Sequence, residues 1–158
     1  MTRRIAFEAI DNFRDFGDYA AGPRRLRPGV LYRSASQSRA TDADLAKLGG
    51  LGIRTIIDLR RLNEREREPS RRWEGFAAQV IENDIGQDTA DEWSTFIQSS
   101  DLTAGSFRDY MLEYYRQLPH QKRHIDLYRR YFQALVEQDG PILVHCAAGK
   151  DRTGIICA

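Results

Sequence analysis

Cysteine is scarce in this chain. Its 158 residues hold two, Cys146 and Cys157, and a pair eleven positions apart builds no disulfide framework. Histidine is scarce as well: His120 and His124 share helical spacing and His145 stands apart, so no metal-ligand set forms and no cofactor is expected. Lysine supplies only three of the 24 basic residues, an arginine skew that we read as codon bias in a GC-rich bacterial genome. No apolar stretch approaches the roughly 20 residues of a membrane-spanning helix, so stable membrane insertion is not expected. The first twelve residues carry Arg3-Arg4 without a following apolar core; no secretory signal is visible, and the expected location is the cytoplasm. Net charge is nearly absent too, and a formal +1 gives no argument for nucleic acid or a membrane surface as partner.

What the chain does have is alternation. A hydrophobic content of 41% over this length supports one domain, residues 1–158, with a real core. Strand-like and helix-like segments take turns, which predicts an α/β fold with a central, mainly parallel sheet flanked by helices. Val30-Leu31-Tyr32 is a short strand after two Gly/Pro turns. Thr41-x-x-Asp44 opens a helix as a capping box, with Leu45 and Leu48 inward and Gly49-Gly50 as its stop. The segment from Arg54 to Leu59 is nearly continuous apolar, as in a central strand buried on both faces. Ala77 to Ile81 and Pro141 to Val144 are further strands. One helix between them starts at Ser106-x-x-Asp109, carries Phe107, Tyr110, Met111, Tyr114 and Leu118 inward, and stops at Pro119. A second turns Ile125, Tyr128, Phe132, Leu135 and Val136 to the core. The arginines and glutamates interleaved from Arg60 to Glu74 are expected to form a solvated helix surface.

The chemistry is concentrated at Val144-His145-Cys146-Ala147-Ala148-Gly149-Lys150-Asp151-Arg152-Thr153-Gly154, which reads as strand, tight loop and helix start. Open parallel sheets place their sites beyond the carboxyl ends of strands, where Cys146 falls and Asp58 also falls. Five residues separate Cys146 from Arg152, and a loop of that size can curl its amides around one tetrahedral anion at a helix N-terminus. Ala147, Ala148, Gly149, Lys150, Asp151 and Arg152 are thus the candidate phosphate-binding set. The same amides and dipole favour a thiolate, making Cys146 a candidate nucleophile. Arg152 presents a planar fork to two phosphate oxygens, which lysine cannot do. Gly149 permits positive φ or a close backbone approach. Thr153 is placed to donate to the sulfur as it leaves, and His145 reads as a partner that orients the loop rather than as a base. A structural cysteine before an ordinary turn leaves Gly-Lys-Asp-Arg-Thr-Gly unexplained. A Walker A loop is excluded, because Asp151 stands where Ser or Thr is required and Val144 where Gly is required.

His145-Cys146 followed by Arg152-Thr153 resembles the Cys-x5-Arg signature of the cysteine-based protein tyrosine phosphatase superfamily. Asn12-Phe13-Arg14-Asp15, Leu31-Tyr32-Arg33-Ser34, Leu51-Gly52-Ile53 with Asp58-Leu59-Arg60, and Tyr110-Met111 with Tyr115-Arg116-Gln117 extend the resemblance to the bacterial branch that includes mycobacterial secreted tyrosine phosphatases. It implies a tyrosine/dual-specificity phosphatase-like fold and metal-independent hydrolysis of phosphoric monoesters through a phosphocysteine. The implied substrates are phosphotyrosine and, by extension, phosphoserine, phosphothreonine or phosphoinositides. Lys150, a second cation in the loop, either suits a substrate carrying more than one phosphoryl charge or only adds field to the thiolate; both stay open.

A general acid is implied as well. No Trp-Pro-Asp tripeptide occurs, so the candidates are Asp84, Asp88 and Asp91 after the Gln79-Val80-Ile81 strand, with Asp58 and Asp151 as others. Aligning that strand and its acidic loop with the branch favours Asp84, leaving Asp58, His145 and Thr153 as supporting residues. The polar, poorly periodic segment Gln87 to Gly105, with Trp93, Phe96 and Ile97 as apolar exceptions, is expected to be a mobile flap beside the site. Members of the branch continue through further helices, so the chain is expected to be a fragment ending within the helix after the loop. Their export without an obvious signal keeps non-classical export open. The rival readings are a phosphate- or phosphoinositide-binding module without turnover and a rhodanese-type sulfur transferase; the loop's Gly-Lys-Asp-Arg-Thr-Gly tail argues against the second.

Overall fold

Two strand segments are buried at every position, Thr55-Ile56-Ile57-Asp58 and Ile142-Leu143-Val144-His145, and they form the middle of the sheet. The computed structural model describes residues 3–86, 92–137 and 139–158. Its strands are β1 (Arg14–Asp15), β2 (Ala20–Ala21), β3 (Arg24–Arg25), β4 (Leu31–Ser34), β5 (Thr55–Asp58), β6 (Gln79–Ile81) and β7 (Ile142–His145). The five-stranded sheet runs β1-β4-β7-β5-β6, with β4, β7, β5 and β6 parallel and β1 antiparallel at one edge. β2 and β3 form a separate hairpin. The register pairs Ser34 with His145 and His145 with Asp58, so three strands deliver their carboxyl ends to one line. That line is where the loop begins.

Side chains alternate across the sheet and feed two apolar layers. Ile56 and Leu143 face Leu45 and Leu48 of α1 (Asp42–Gly50), with Phe13 and Tyr32 in the same cluster. Ile57, Ile81 and Val144 face Leu127, Tyr131 and Ala134 of α5 (Lys122–Glu137), and Cys146 lies in this second cluster. The expected capping box of α1 is present: Asp44 N donates to Thr41 Oγ1 at 3.1 Å and Thr41 N to Asp44 Oδ2 at 3.2 Å. Asp44 also accepts from Glu8 N and Ala9 N, at 2.7 and 2.9 Å, tying the N-terminal segment to this helix. Burial opposes its charge, but these amides outweigh burial and hold its carboxyl below the usual range.

Three expectations need correction. The inward face of α5 is Leu127, Tyr131 and Ala134, whereas Ile125, Phe132 and Val136 are 44%, 60% and 83% exposed. The helix carries two interleaved apolar stripes, and Arg123 selects between them by donating to Leu59 O at 3.2 Å and Arg60 O at 3.1 Å. Between Gln87 and Gly105 the chain forms α3 (Glu92–Ser99), where Trp93, Phe96 and Ile97 recur at helical spacing. Residues 87–91, which include the acid candidates Asp88 and Asp91, lie outside the described residues. α4 (Ala104–Gln117) is capped by Thr103 rather than Ser106, since Ser106 N donates to Thr103 Oγ1 at 3.2 Å. Its aromatic stripe is half-buried against α3 instead of entering the core: Phe96 meets Phe107 and Tyr110 at ring separations of 5.1 and 4.4 Å. Leu118 is buried at the end of α4, where Pro119 falls in a 3-10 turn.

The Arg60 to Glu74 run is a solvated surface only in part: Glu66, Arg67, Glu68, Arg71 and Glu74 are exposed, but two of its arginines are not. α2 covers only Leu62–Arg67, Arg60 and Arg65 are buried, and each binds carboxylates. The last helix, α6 (Asp151–Ile156), follows the loop. Among the described residues no helix is long and apolar enough to cross a membrane.

Candidate active site

β7 ends at His145, the chain bends through residues 147–150, and α6 begins at Asp151. Every carbonyl in that bend is taken by a donor from outside it. Ser36 N donates to Ala147 O at 2.9 Å, Asn12 Nδ2 to Ala148 O at 2.8 Å, and Arg33 Nη2 to Gly149 O at 3.0 Å and Lys150 O at 3.3 Å. With the carbonyls drawn outward, the amides of residues 147–150 meet no acceptor among the described residues. That is the arrangement of a backbone anion nest at a helix start. Gly149 has φ +65°, and a Cβ there would lie 2.3 Å from Ser34 C and 2.4 Å from Ser34 O. Glycine is required on both counts.

Cys146 is buried, with 3% of its surface exposed. Arg152, six positions on, is clamped by a residue that the sequence reading missed. Its Nη1 donates to Glu64 Oε2 at 2.7 Å and its Nη2 to Glu64 Oε1 at 2.8 Å, a forked pair from α2. Arg152 Nη1 also reaches Leu59 O at 3.3 Å. Burial works against both charges, yet each raises the other's ionisation: Arg152 goes up from its ordinary value and Glu64 goes down. The fork is therefore held rigid with one face committed to Glu64. Thr153 is fully buried and its hydroxyl has no hydrogen-bond partner among the described residues.

Asp58 and His145 lie beneath the loop. Arg60 binds Asp58 through Nε at 3.0 Å, Nη2 at 2.7 Å and its own amide at 3.0 Å. Burial disfavours the Asp58 charge, but His145 and Arg60 hold its carboxyl at about 2. Such a group keeps no proton at neutral pH, which disfavours Asp58 as a proton donor. Burial pushes His145 down to about 4. The ring is neutral at pH 7 and so has a single N–H, which Nδ1 donates to Cys146 O at 3.3 Å; Nε2 lies 3.5 Å from Asp58 Oδ2 without a hydrogen bond.

The other carboxylates face outward. Asp84, three positions past the carboxyl end of β6, is half-exposed and accepts from Arg65 Nη2, while Arg65 Nη1 reaches Glu82 at 3.0 Å. Asp151 accepts the Tyr115 hydroxyl, which the bond raises to about 12, and lies 3.7 Å from Lys150 Nζ. Lys150 itself is largely exposed. Burial lifts Tyr114 to about 12 against the opposing pull of Arg152, so α4 presents two protonated tyrosines to the loop. Tyr114 could not be singled out in the sequence, because it sits in a stripe read as core, and Tyr115 was visible only as a matching residue. Asn12 and Arg33 were visible only as matching residues, with no sign that they brace the loop.

The sequence profile of the tyrosine phosphatase family matches residues 5–158. A Cupriavidus necator protein named as a tyrosine-protein phosphatase is 36% identical over 157 residues, covering 95% of this chain and 54% of its own. The triple specificity protein phosphatase PtpB of Mycobacterium tuberculosis is 35% identical over 166 residues, covering 93% and 59%. A Nostoc commune tyrosine-protein phosphatase is 37% identical over 131 residues, covering 80% and 40%. The chain spans about half the length of the curated relatives it matches. With the profile matched along nearly its whole length and the mainly parallel sheet carrying its loop at the carboxyl edge, the chain belongs to the tyrosine phosphatase family.

Proposed function

We propose that this protein hydrolyses phosphoric monoesters through a phosphocysteine on Cys146, without a metal. The observation that carries the reading is the bend whose four carbonyls are all drawn outward by Ser36, Asn12 and Arg33, beside a buried cysteine and a clamped arginine. In the first step the Cys146 thiolate attacks phosphorus, the S–P bond forms, and the P–O ester bond breaks. The leaving oxygen takes a proton from a carboxylic acid. The loop amides and Arg152 stabilise the equatorial oxygens of the transition state. Water then attacks phosphorus and gives its proton to the same carboxylate, and the S–P bond breaks to return the thiolate and inorganic phosphate. Thr153 donates to the departing sulfur.

Asp84 is our choice for the acid, because it follows a parallel strand whose carboxyl end shares the edge with Cys146. To donate, its carboxyl must turn away from Arg65. Asp84→Asn should slow an alkyl phosphate more than an aryl phosphate, whose leaving group needs less help. Loss of alkyl phosphate turnover in Asp151→Asn but not in Asp84→Asn would overturn the assignment.

Phosphotyrosine is the substrate that the family supports best. The triple specificity named for the mycobacterial relative extends the proposal to phosphoserine, phosphothreonine and phosphoinositides. The α3–α4 pair, joined to the loop through Tyr115 and Asp151, would cover a bound substrate. The decisive comparison is turnover of para-nitrophenyl phosphate, without added metal, by the protein and by Cys146→Ser and Arg152→Lys. Abolished turnover in the first variant and a loss of at least about a hundredfold in the second are expected. Turnover that survives Cys146→Ser would refute the mechanism.

A further inference from the structure

A cleft of about 1040 Å³ opens beside the loop, and its floor includes Ala147 and Ala148 of the bend itself. Four arginines line it, Arg3, Arg4, Arg14 and Arg39, against the two carboxylates Asp11 and Glu68. The whole chain is nearly neutral at +1, so this excess of cations is local. Arg3, Arg4 and Arg14 have no carboxylate within ion-pair distance among the described residues, and Arg39 has only an exposed contact of 3.7 Å to Glu68. Two of these side chains are nevertheless held in place. Arg14 Nη2 donates to Asn12 Oδ1 at 3.0 Å, Arg3 stacks over the Tyr19 ring at 3.7 Å, and a β-bridge joins the backbones of Arg4 and Arg14. Two of the four cations, Arg3 and Arg14, are therefore arranged before any anion arrives, which lowers the entropic cost of binding one.

We propose that this cleft is a substrate subsite, taking the acidic side chains that flank the phosphorylated residue of a protein. The inference rests on the phosphatase reading of the adjoining loop. Three features favour a peptide. The volume is at the upper end of the roughly 300–1,000 Å³ of small-molecule pockets, more than one phosphoryl group fills. The walls mix chemistry: arginines for carboxylates, Asp11 and Glu68 to accept peptide amides, and the hydroxyls of Ser36 and Ser38. An anionic bilayer would be attracted by a broad basic face, whereas here the four exposed arginines share the cleft with two carboxylates that repel it. Because Ala147 and Ala148 belong to both sites, a phosphorylated side chain in the loop places its chain neighbours at the cleft.

The test compares two phosphotyrosine peptides, one flanked by Glu and Asp and the other by Gln and Asn, using the wild-type protein and the double variant Arg4→Gln/Arg39→Gln. Each exposed arginine–carboxylate contact is worth roughly a few-fold at low salt, so the wild type should favour the acidic peptide by about tenfold in kcat/KM. The preference should shrink as salt rises. In the double variant the acidic-to-neutral ratio should approach one, and the ratio is insensitive to any general loss of folded protein. A wild-type ratio near one would overturn the proposal, as would a ratio that the variant leaves unchanged. So would a variant defect confined to phosphoinositide vesicles, which would assign the cleft to a lipid headgroup. Should para-nitrophenyl phosphate not be turned over at all, the phosphatase reading fails separately. The same ratio in binding of non-hydrolysable phosphonate peptides then still decides the role of the cleft.

Discussion

Replacing Glu64 with glutamine should cripple turnover while sparing substrate binding. The Glu64 carboxylate accepts from Arg152 Nη1 and Nη2 at 2.7 and 2.8 Å, and from Arg61 N at 2.9 Å. A glutamine oxygen at Oε2 keeps Arg61 N and one guanidinium nitrogen, but its NH2 then faces the other nitrogen, donor against donor. The change removes one charge-assisted bond and the ionic attraction from a pair whose side chains are 16% and 20% exposed. A charge-assisted bond contributes about 1.5–3 kcal/mol, and breaking a fully buried pair costs about 3–5 kcal/mol. Partial exposure and the surviving acceptor bring the expectation to about 1–3 kcal/mol. Expressed as misplacement of the guanidinium in the transition state, this is roughly a 10- to 100-fold fall in kcat. KM should hold or drop, because an arginine released from Glu64 still attracts a ground-state phosphate. Steady-state kinetics on para-nitrophenyl phosphate, with a urea midpoint to confirm folding, reads both quantities. A kcat within twofold of wild type in folded Glu64→Gln, alongside a crippled Arg152→Lys, would refute the idea that Glu64 orients Arg152.

Acidification should destabilise the fold from about pH 6.5 downward. Burial holds His145 at about 4, and burial with Arg123 alongside holds His124 at about 3. The folded state thus binds fewer protons than the unfolded one. The stability these rings confer is whole above the unfolded value near 6.5 and is lost as pH falls toward the folded values, by up to about 1.4 kcal/mol per pH unit for each. A urea midpoint that stays flat between pH 6.5 and 4.5 would contradict this. Gly149→Ala should cost at least about 2–3 kcal/mol and abolish vanadate binding, since the added methyl meets Ser34 backbone at 2.3 Å on a positive φ; wild-type vanadate affinity in this variant would count against the nest. Leu127→Ala should cost about 2–4 kcal/mol by chemical denaturation and Phe132→Ser no more than about 0.5, because the first is fully buried and the second is 60% exposed. The reverse order would mean that α5 is rotated. Tyr115→Phe should speed amide exchange in α4 without moving the urea midpoint, since it frees that helix from Asp151; unchanged exchange would show that the bond does not hold α4 down.

The loop was legible because its chemistry is contiguous: nucleophile, glycine and arginine fall within seven residues, Cys146 to Arg152, and their order implies their geometry. The central strands were legible for a similar reason, as short continuous apolar runs have few other uses. What braces the loop was not. Asn12, Arg33 and Glu64 lie far from it in the chain, and nothing local marks an arginine that will cap two carbonyls. Glu64 was further disguised by a run of alternating charges, in which one buried carboxylate looks like its solvated neighbours. The face of α5 failed on a different ground. Periodicity finds stripes but cannot rank two of them, and the choice depended on hydrogen bonds from Arg123 to strand-end carbonyls. α3 was lost because its Trp93, Phe96 and Ile97 span barely two turns within polar sequence, too few to separate from chance.

The most direct test of the proposed chemistry is to trap the phosphoenzyme. The protein would be mixed with an aryl phosphate, denatured within milliseconds, digested under conditions that preserve thiophosphate esters, and analysed by mass spectrometry. One phosphoryl group on the peptide containing Cys146, absent in Cys146→Ser, is the result we predict. Turnover without any labelled cysteine, or with the label on another residue, would contradict it.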